Sequence, residues 1–356
     1  MESHKNLYQK ICSYKNIELA FEKARKNKTS MPYVKEFEKN LNKNILEIRK
    51  ELENFIYEPS QLKRFIIRDP KTRTIHSSAF RDRVVYHAIV NILEPIYEKK
   101  FIHDSYASRK NKGALKAVLR FDEFKRKVNR NGSLVKNPHN NNSVKGYVLK
   151  ADIKHYFETV DHEILLNIIQ RSIKDEKVLW LIRKILNNFP AKTKGKGMPL
   201  GNLTSQFFAN IYLNDLDYFV KHKLRTKYYI RYVDDFVILC SNKDKLKEYK
   251  EKIEKYLKNL KLELHPDKSK IISLAGGISF LGYKLFYHYK LLKKGNITKF
   301  QNNLNKKLEV LESGGGDEER YKEIFSSLHG WFGYAKWANT YKLRKSIIRK
   351  IKTLKD

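Results

Sequence analysis

Ile230-Arg231-Tyr232-Val233-Asp234-Asp235-Phe236-Val237-Ile238-Leu239 sets two adjacent aspartates between two apolar runs. β-Branched and aromatic residues on both sides of a short polar pair read as a β-hairpin with the acids at its tip. Adjacent carboxylates there concentrate negative charge, which a divalent cation would relieve. An ordinary polar turn is the other reading open to an Asp-Asp pair taken alone. A third acid bears on that choice. Asp152 ends the apolar strand pattern Gly146-Tyr147-Val148-Leu149-Lys150-Ala151, where a lone carboxylate is unfavourable unless paired or bound to metal. Two divalent ions about 4 Å apart can activate an attacking hydroxyl and stabilise the leaving oxygen of an in-line phosphoryl displacement.

Working outward, residues 1 to about 60 read as helical, with Leu41, Ile45, Ile48, Leu52, Phe55 and Ile56 at helix-like spacing before Pro59-Ser60. A strand at Phe65-Ile66-Ile67-Arg68, a turn at Asp69-Pro70-Lys71 and a strand around Arg73-Thr74-Ile75 follow, then a helix over 80–101. An Asn-rich loop at 129–146 separates this part from the strand that ends in Asp152. After it come a helix from Asp161, a Gly/Pro turn at Gly195 to Gly201, a helix over 204–222, the hairpin, a Lys/Glu helix over 243–259 and a strand pair at 269–292. The basic tail from about 297 is helical, interrupted by a joint at Gly314-Gly315-Gly316.

The 356 residues suffice for two or three packed subdomains, and a 41% hydrophobic content is that of a folded protein. Against 39 Asp and Glu stand 74 Lys and Arg, a formal charge of +35. Such an excess points to a polyanionic partner bound with strong salt dependence. Cys12 and Cys240 are the only cysteines, which excludes a disulfide framework and a cysteine zinc site. The first residues lack the apolar stretch of a signal peptide, no apolar run is long enough to span a bilayer, and the basic residues are spread along the chain. The expected location is therefore cytoplasmic, with no membrane partner.

Taken together these blocks resemble the reverse transcriptases. Tyr232-Val233-Asp234-Asp235 is similar to their Tyr-x-Asp-Asp signature, and Lys150-Ala151-Asp152-Ile153-Lys154-His155-Tyr156-Phe157 to their first carboxylate block. The resemblance implies an α/β (α+β) right-hand polymerase. Its parts would be an N-terminal helical extension over 1–60, fingers over 61–146, a palm over 147–292 with an antiparallel sheet, and a helical thumb over 293–356. It implies two Mg²⁺ ions, with Mn²⁺ as a substitute, held by Asp152, Asp234, Asp235 and the Ile153 carbonyl. Phe157 would be the gate that rejects a ribose 2′-OH, though a plain core aromatic is also open on residue type. Arg68-Asp69-Pro70-Lys71-Thr72-Arg73 resembles the fingers hairpin, implying that Lys71 and Arg73 hold the incoming triphosphate. Phe80 to Ala88 and Ser105 to Gly113 resemble the next fingers blocks, and each residue in them could equally be a solvated cation. Lys268 is similar to the lysine that protonates the leaving pyrophosphate, a surface lysine being the alternative. Ser279-Phe280-Leu281-Gly282-Tyr283 looks like the primer grip, implicating Phe280, Leu281 and Gly282.

Pro199-Leu200-Gly201-Asn202-Leu203-Thr204-Ser205-Gln206 sorts the subfamily. Most reverse transcriptases carry Gln-Gly-x-x-x-Ser-Pro here; Leu200 and Gln206 replace that Gln and Pro. The Leu-Gly-x-x-x-Ser-Gln form resembles the diversity-generating retroelement enzymes, which copy a template-repeat RNA with errors at adenines. Leu200, Gly201, Ser205 and Gln206 would lie at the template base, with Gln206 also near the dNTP. The N-terminal run Asn6-Leu7-Tyr8-Gln9-Lys10-Ile11 and the thumb segment Gly330 to Asn339 look alike too, and no room is expected after residue 356 for an RNase H, maturase or endonuclease domain. The implied partners are a structured template RNA, the RNA–DNA heteroduplex, dNTPs and an oligomer of a small basic helical-bundle accessory protein. A defence-associated, abortive-infection-like reverse transcriptase is the alternative, marked by added helical repeats that are not seen. A non-catalytic RNA-binding scaffold is the alternative of another class, against which the retained acids and cations argue. Phe157 disfavours an RNA-templated RNA polymerase.

Overall fold

The computed structural model describes residues 6–68, 72–312 and 318–352. The turn expected at Asp69-Pro70-Lys71 and the joint expected at Gly314 to Gly316 lie outside the described residues. Four helices open the chain: α1 (Leu7–Cys12), α2 (Tyr14–Arg25), α3 (Pro32–Lys39) and α4 (Leu41–Glu53). In α4, Ile45, Ile48 and Leu52 recur at helical spacing and all are fully buried. The sequence reading carried that ladder on through Phe55 and Ile56, but α4 stops at Glu53. Phe55 takes a left-handed φ of 59°, its ring stacks on Tyr8 with centroids 5.4 Å apart, and Ile56 is left 62% exposed.

Strands β1 (Lys63–Ile67) and β2 (Arg73–Ser77) pair antiparallel with Ile66 opposite Thr74. Helix α5 (Phe80–Glu98) follows, then α6 (Ala114–Val128), a helix the sequence reading did not anticipate. Next come β3 (Tyr147–Asp152), α7 (Tyr156–Thr159), α8 (His162–Gln170), α9 (Glu176–Asn187) and α10 (Leu203–Tyr218), which runs on as a π-helical turn over Phe219–Lys223. Asp161 caps α8 by accepting from the Ile164 amide at 3.1 Å, a contact of the kind that contributes about 1 kcal/mol. The hairpin strands are β4 (Tyr229–Tyr232) and β5 (Asp235–Cys240), followed by α11 (Lys243–Asn259) and β6 (Lys270–Ser273). The remaining elements are β7 (Ile278–Phe280), β8 (Tyr283–Leu285), β9 (Lys290–Leu292), α12 (Lys294–Glu312), α13 (Glu318–Ala335) and α14 (Tyr341–Lys352). Among the described residues three sheets form, ordered β1-β2, β4-β5-β3-β6 and β7-β8-β9. The strand pair expected over 269–292 is thus four short strands in two sheets: a 3-10 turn over Leu274–Gly276 separates β6 from β7, and Leu281 and Gly282 turn β7 into β8.

The chain divides into two compact units. One comprises Met1–Gly113, Lys150–Val237 and Glu248–Lys270; the other Ala114–Leu149, Ile238–Lys247 and Ile271–Asp356. In the first, α2 packs along α5, whose Val84, Val85, Ala88, Ile89 and Leu93 are fully buried. In the second, Leu304, Leu308, Ile324, Leu328 and Ile347 close a core over α12, α13 and α14. Phe300 and Trp331 stack beside that core with centroids 4.0 Å apart.

Candidate active site

The acids singled out above meet in the first unit. The β4–β5 connection is as short as a hairpin allows: Val233 and Asp234 form the turn, and Asp235 begins the outgoing strand. Val233 sits at φ 55°, a left-handed conformation unfavourable for a β-branched residue. It is what turns Asp234 and Asp235 outward while Ile230 and Phe236 stay fully buried. The Ile153 amide donates to the Asp234 carbonyl at 3.3 Å, which fixes the end of β3 against the hairpin tip. On the other side, the Asp152 carbonyl accepts from the His265 amide at 2.8 Å. That bond brings in the 265–269 segment, and Lys268 Nζ donates to Asp152 Oδ1 at 2.8 Å.

Asp152, Asp234 and Asp235 are all half-buried. Burial, with the charges of Asp235 and Asp152 behind it, pushes the Asp234 carboxyl up to about 6, and only its own amide and Lys268 pull the other way. Asp235 is raised as well, by burial first and then by Asp152, with Lys150 and Lys268 opposing. Two raised carboxyls beside the Asp152 carboxylate at one sheet end form a site that favours incoming positive charge. Among the described residues, no group of three acid, histidine or cysteine side chains forms a ready cage for a metal ion. Mg²⁺ does not need one, since one or two carboxylates complete its shell with water and substrate phosphates. The acids present fit that donor set, and Lys268 supplies a cation at Asp152 within the protein itself.

The other expected residues fall as follows. Phe157, half-buried on α7, accepts from the Met198 amide at 2.7 Å through its carbonyl, so the aromatic and the Pro199 to Gln206 block are linked through the backbone. Gly201 has φ +102°, and a Cβ there would lie 3.4 Å from Ile75 Cγ2, so the block runs directly beside β2. Leu200 is half-buried and Ser205 buried. Gln206 is exposed, and its Oε1 accepts from Ser108 Oγ at 3.0 Å. Arg73 is exposed at the start of β2; Lys71 lies outside the described residues.

Phe280, Leu281 and Gly282 belong to the second unit. Leu281 at φ 44° and Gly282 at φ 90° make a two-residue hairpin turn between β7 and β8, the pattern that glycine favours. Phe280 is buried. Tyr334 Oη donates to the Gly282 carbonyl at 2.9 Å.

One cluster escaped the sequence reading. Arg231, in the apolar run before the acids, is fully buried with Asp217 of α10. Its Nε and Nη2 donate to the two Asp217 oxygens at 2.8 and 2.7 Å, and Tyr229 Oη adds a third donor to Asp217 at 2.7 Å. The signal was available, because a charged residue inside a buried strand needs a partner. What the sequence did not give was the partner, which lies on a helix.

The family model described as reverse transcriptase (RNA-dependent DNA polymerase) matches residues 67–285. The chain belongs to the reverse transcriptase family. Its mixed helix-and-strand fold is accordingly that of a right-hand polymerase. Protein YkfC of Escherichia coli K12 is 26% identical over 279 residues, which cover 67% of this chain and 70% of that protein. The group II intron-encoded protein LtrA of Lactococcus lactis is 26% identical over 315 residues, 68% of this chain but 49% of its own length. This reverse transcriptase therefore spans about half of that intron-encoded relative. An apo telomerase structure from Candida tropicalis, truncated from its C-terminal domain, aligns at 15% identity and a TM-score of 0.46, covering 68% of this chain and 59% of that one.

Proposed function

We propose that this reverse transcriptase is the RNA-directed DNA polymerase of a diversity-generating retroelement, copying a template-repeat RNA into cDNA with errors at adenines for mutagenic retrohoming. The observation that carries the subtype is the Leu200 to Gln206 block. Gln206 stands where the family more often has proline, exposed and oriented by Ser108, and Gly201 passes beside β2. A block whose side chains differ at the template base holds that base less rigidly, which is the physical route to misreading. The group II intron-encoded relative supports the broader reading, RNA-directed polymerisation.

Asp152, Asp234, Asp235 and the Ile153 carbonyl would hold two Mg²⁺ ions, or Mn²⁺ in their place. When bound, such ions lower the cost of forming the attacking oxyanion and of releasing pyrophosphate. The chain's own residues do the rest. Lys268, already beside Asp152, is placed to give a proton to the leaving group. Phe157 excludes a 2′-hydroxyl, Lys71 and Arg73 hold the triphosphate, and Phe280, Leu281 and Gly282 position the primer. The basic surface grips the heteroduplex through its phosphates. An oligomer of a small basic helical-bundle protein acts beside the polymerase, in the cytoplasm.

The test is primer extension on an RNA template with Mg²⁺ and four dNTPs, followed by product sequencing, with and without the cognate RNA and accessory protein. An Asp234→Ala/Asp235→Ala variant serves as the control. Product that is lost in the variant and misreads template adenines is the expected result. Faithful product keeps the polymerase and removes the retroelement subtype, and equal misincorporation opposite all four bases removes the role given to the Leu200 to Gln206 block. No product in any condition would favour the RNA-binding scaffold.

A further inference from the structure

The Arg231 guanidinium does more than neutralise Asp217. Its Nη1 donates to Asn210 Oδ1 at 3.1 Å and to the carbonyl of Val233 at 3.0 Å. Val233 is the left-handed residue that precedes Asp234, so one corner of a fully buried fork grips the turn on which both acids stand. The rest of the fork is fixed from outside the hairpin. Asp217 and Asn210 both lie on α10, and Asn210 Nδ2 donates to the Ala107 carbonyl at 2.9 Å. The Arg231 backbone closes the circuit: its amide donates to the Asp104 carbonyl at 3.0 Å and its carbonyl accepts from the Tyr106 amide at 2.9 Å. The hairpin tip and α10 thus meet at the Arg231 side chain, and the 104–107 segment at its backbone and at Asn210.

We propose that Arg231 is a positioning residue for polymerisation, holding the Val233 carbonyl so that the left-handed turn presents Asp234 and Asp235 in register with Asp152. The assignment rests on the reading of this hairpin as the polymerase centre. A planar fork with directed donors can meet Asp217, Asn210 and Val233 at once, and an ammonium cannot. Lysine keeps a cation opposite Asp217 but cannot also hold Asn210 and the Val233 carbonyl, so it separates neutralisation from clamping. An unclamped turn relaxes toward conformations easier for valine and carries the acids with it, and a displacement of about 1 Å at reacting groups costs roughly 10²-fold in rate.

The decisive variant is Arg231→Lys, with Arg231→Met/Asp217→Leu as a second variant that removes both buried charges together. Three readouts are taken: thermal unfolding, the separate kcat and KM for primer extension, and amide hydrogen exchange of the 231–236 peptide in metal-free protein. The expected result for Arg231→Lys is a folded protein with KM within about twofold, kcat lowered at least about tenfold and faster exchange at the turn. Adding Val233→Asn, a residue that tolerates the left-handed region, restores part of kcat and of the exchange protection. Unchanged kcat and exchange in a folded Arg231→Lys protein overturns the proposal, as does a loss that Val233→Asn leaves untouched. If neither Arg231 variant folds, the pair serves the fold alone and the positioning role is rejected. A wild type that extends no primer sinks the polymerase reading instead, while the exchange comparison still reports on the clamp.

Discussion

Asp234→Asn is expected to make the metal-free protein more stable while abolishing extension. Burial and the neighbouring carboxylates lift Asp234 from 3.8 to about 6, which at 1.36 kcal/mol per unit corresponds to about 3 kcal/mol. The sign follows from linkage. Below about pH 4 the carboxyl is neutral in folded and unfolded chains and costs nothing. Between about 4 and 6 the unfolded chain gives up its proton first, so stability falls as pH rises, and above about 6 the full cost is present. Asparagine keeps the shape without the charge, so the variant should gain up to about 3 kcal/mol at pH 8 and progressively less toward pH 4. Thermal unfolding in EDTA from pH 5 to 8 reads this as a gap of a few degrees that closes on acidification. Added Mg²⁺ should then stabilise the wild type by mass action and the variant much less. A gap that is absent at pH 8, or the same size at pH 5, would refute the claim that these acids are held together at an electrostatic cost.

Three further outcomes are expected. Gly282→Ala puts a methyl group onto the Tyr334 hydroxyl at a residue with φ +90°, so the turn or the Tyr334 ring must shift. KM for primer–template should rise several-fold with kcat at saturation little changed, and an unaltered KM in steady-state kinetics would count against the primer-grip assignment. Phe157→Ala should raise the rNTP-to-dNTP ratio of kcat/KM by roughly 10- to 100-fold, the range that a few carbons in a pocket wall can discriminate; an unchanged ratio makes Phe157 a core aromatic. Heteroduplex affinity should fall by roughly 10³-fold between 50 and 200 mM salt for about six neutralised phosphates, and a flat salt profile in a filter-binding titration would contradict the electrostatic reading of the +35 charge.

The hairpin was legible because its pattern is local. Apolar runs flank a polar pair, and every residue needed to recognise it lies within about ten positions of Asp234. The amphipathic face of α4 was legible for the same reason. Phe55 was misassigned because the helical period continued one turn past the helix, where packing on Tyr8 and Trp180 outweighed propensity. The β7–β8 turn was hidden by its brevity, since the Leu281-Gly282 pair interrupts an otherwise strand-like stretch. Lys268 was singled out by the family resemblance alone. Its contact with Asp152 spans 116 positions, and nothing local in the sequence encodes it. Arg231 shows the same limit from the other side: the sequence reveals a charge that must be paired, while the partner, Asp217, emerges only when α10 packs behind β4.

Two charge clusters stand back to back at this sheet end, and their contrast explains how the site tolerates its own composition. Arg231 and Asp217 are opposite charges, fully buried and joined by two short bonds, so their demands are met inside the protein. Breaking such a pair on one side alone costs about 3–5 kcal/mol, which makes it a stiff support. Asp152, Asp234 and Asp235 are like charges, half-buried and partly offset by Lys268 and Lys150. Their demand is met from outside. The same arithmetic applies to the substrate: a chain of net +35 draws in a polyanion, yet at the hairpin tip its phosphates meet carboxylates. Attraction by the net charge and repulsion at the acids would be reconciled by cations entering between acid and phosphate. On the proposed polymerase reading, the long-range field would deliver the nucleic acid, and the local acid cluster would make its final approach conditional on metal.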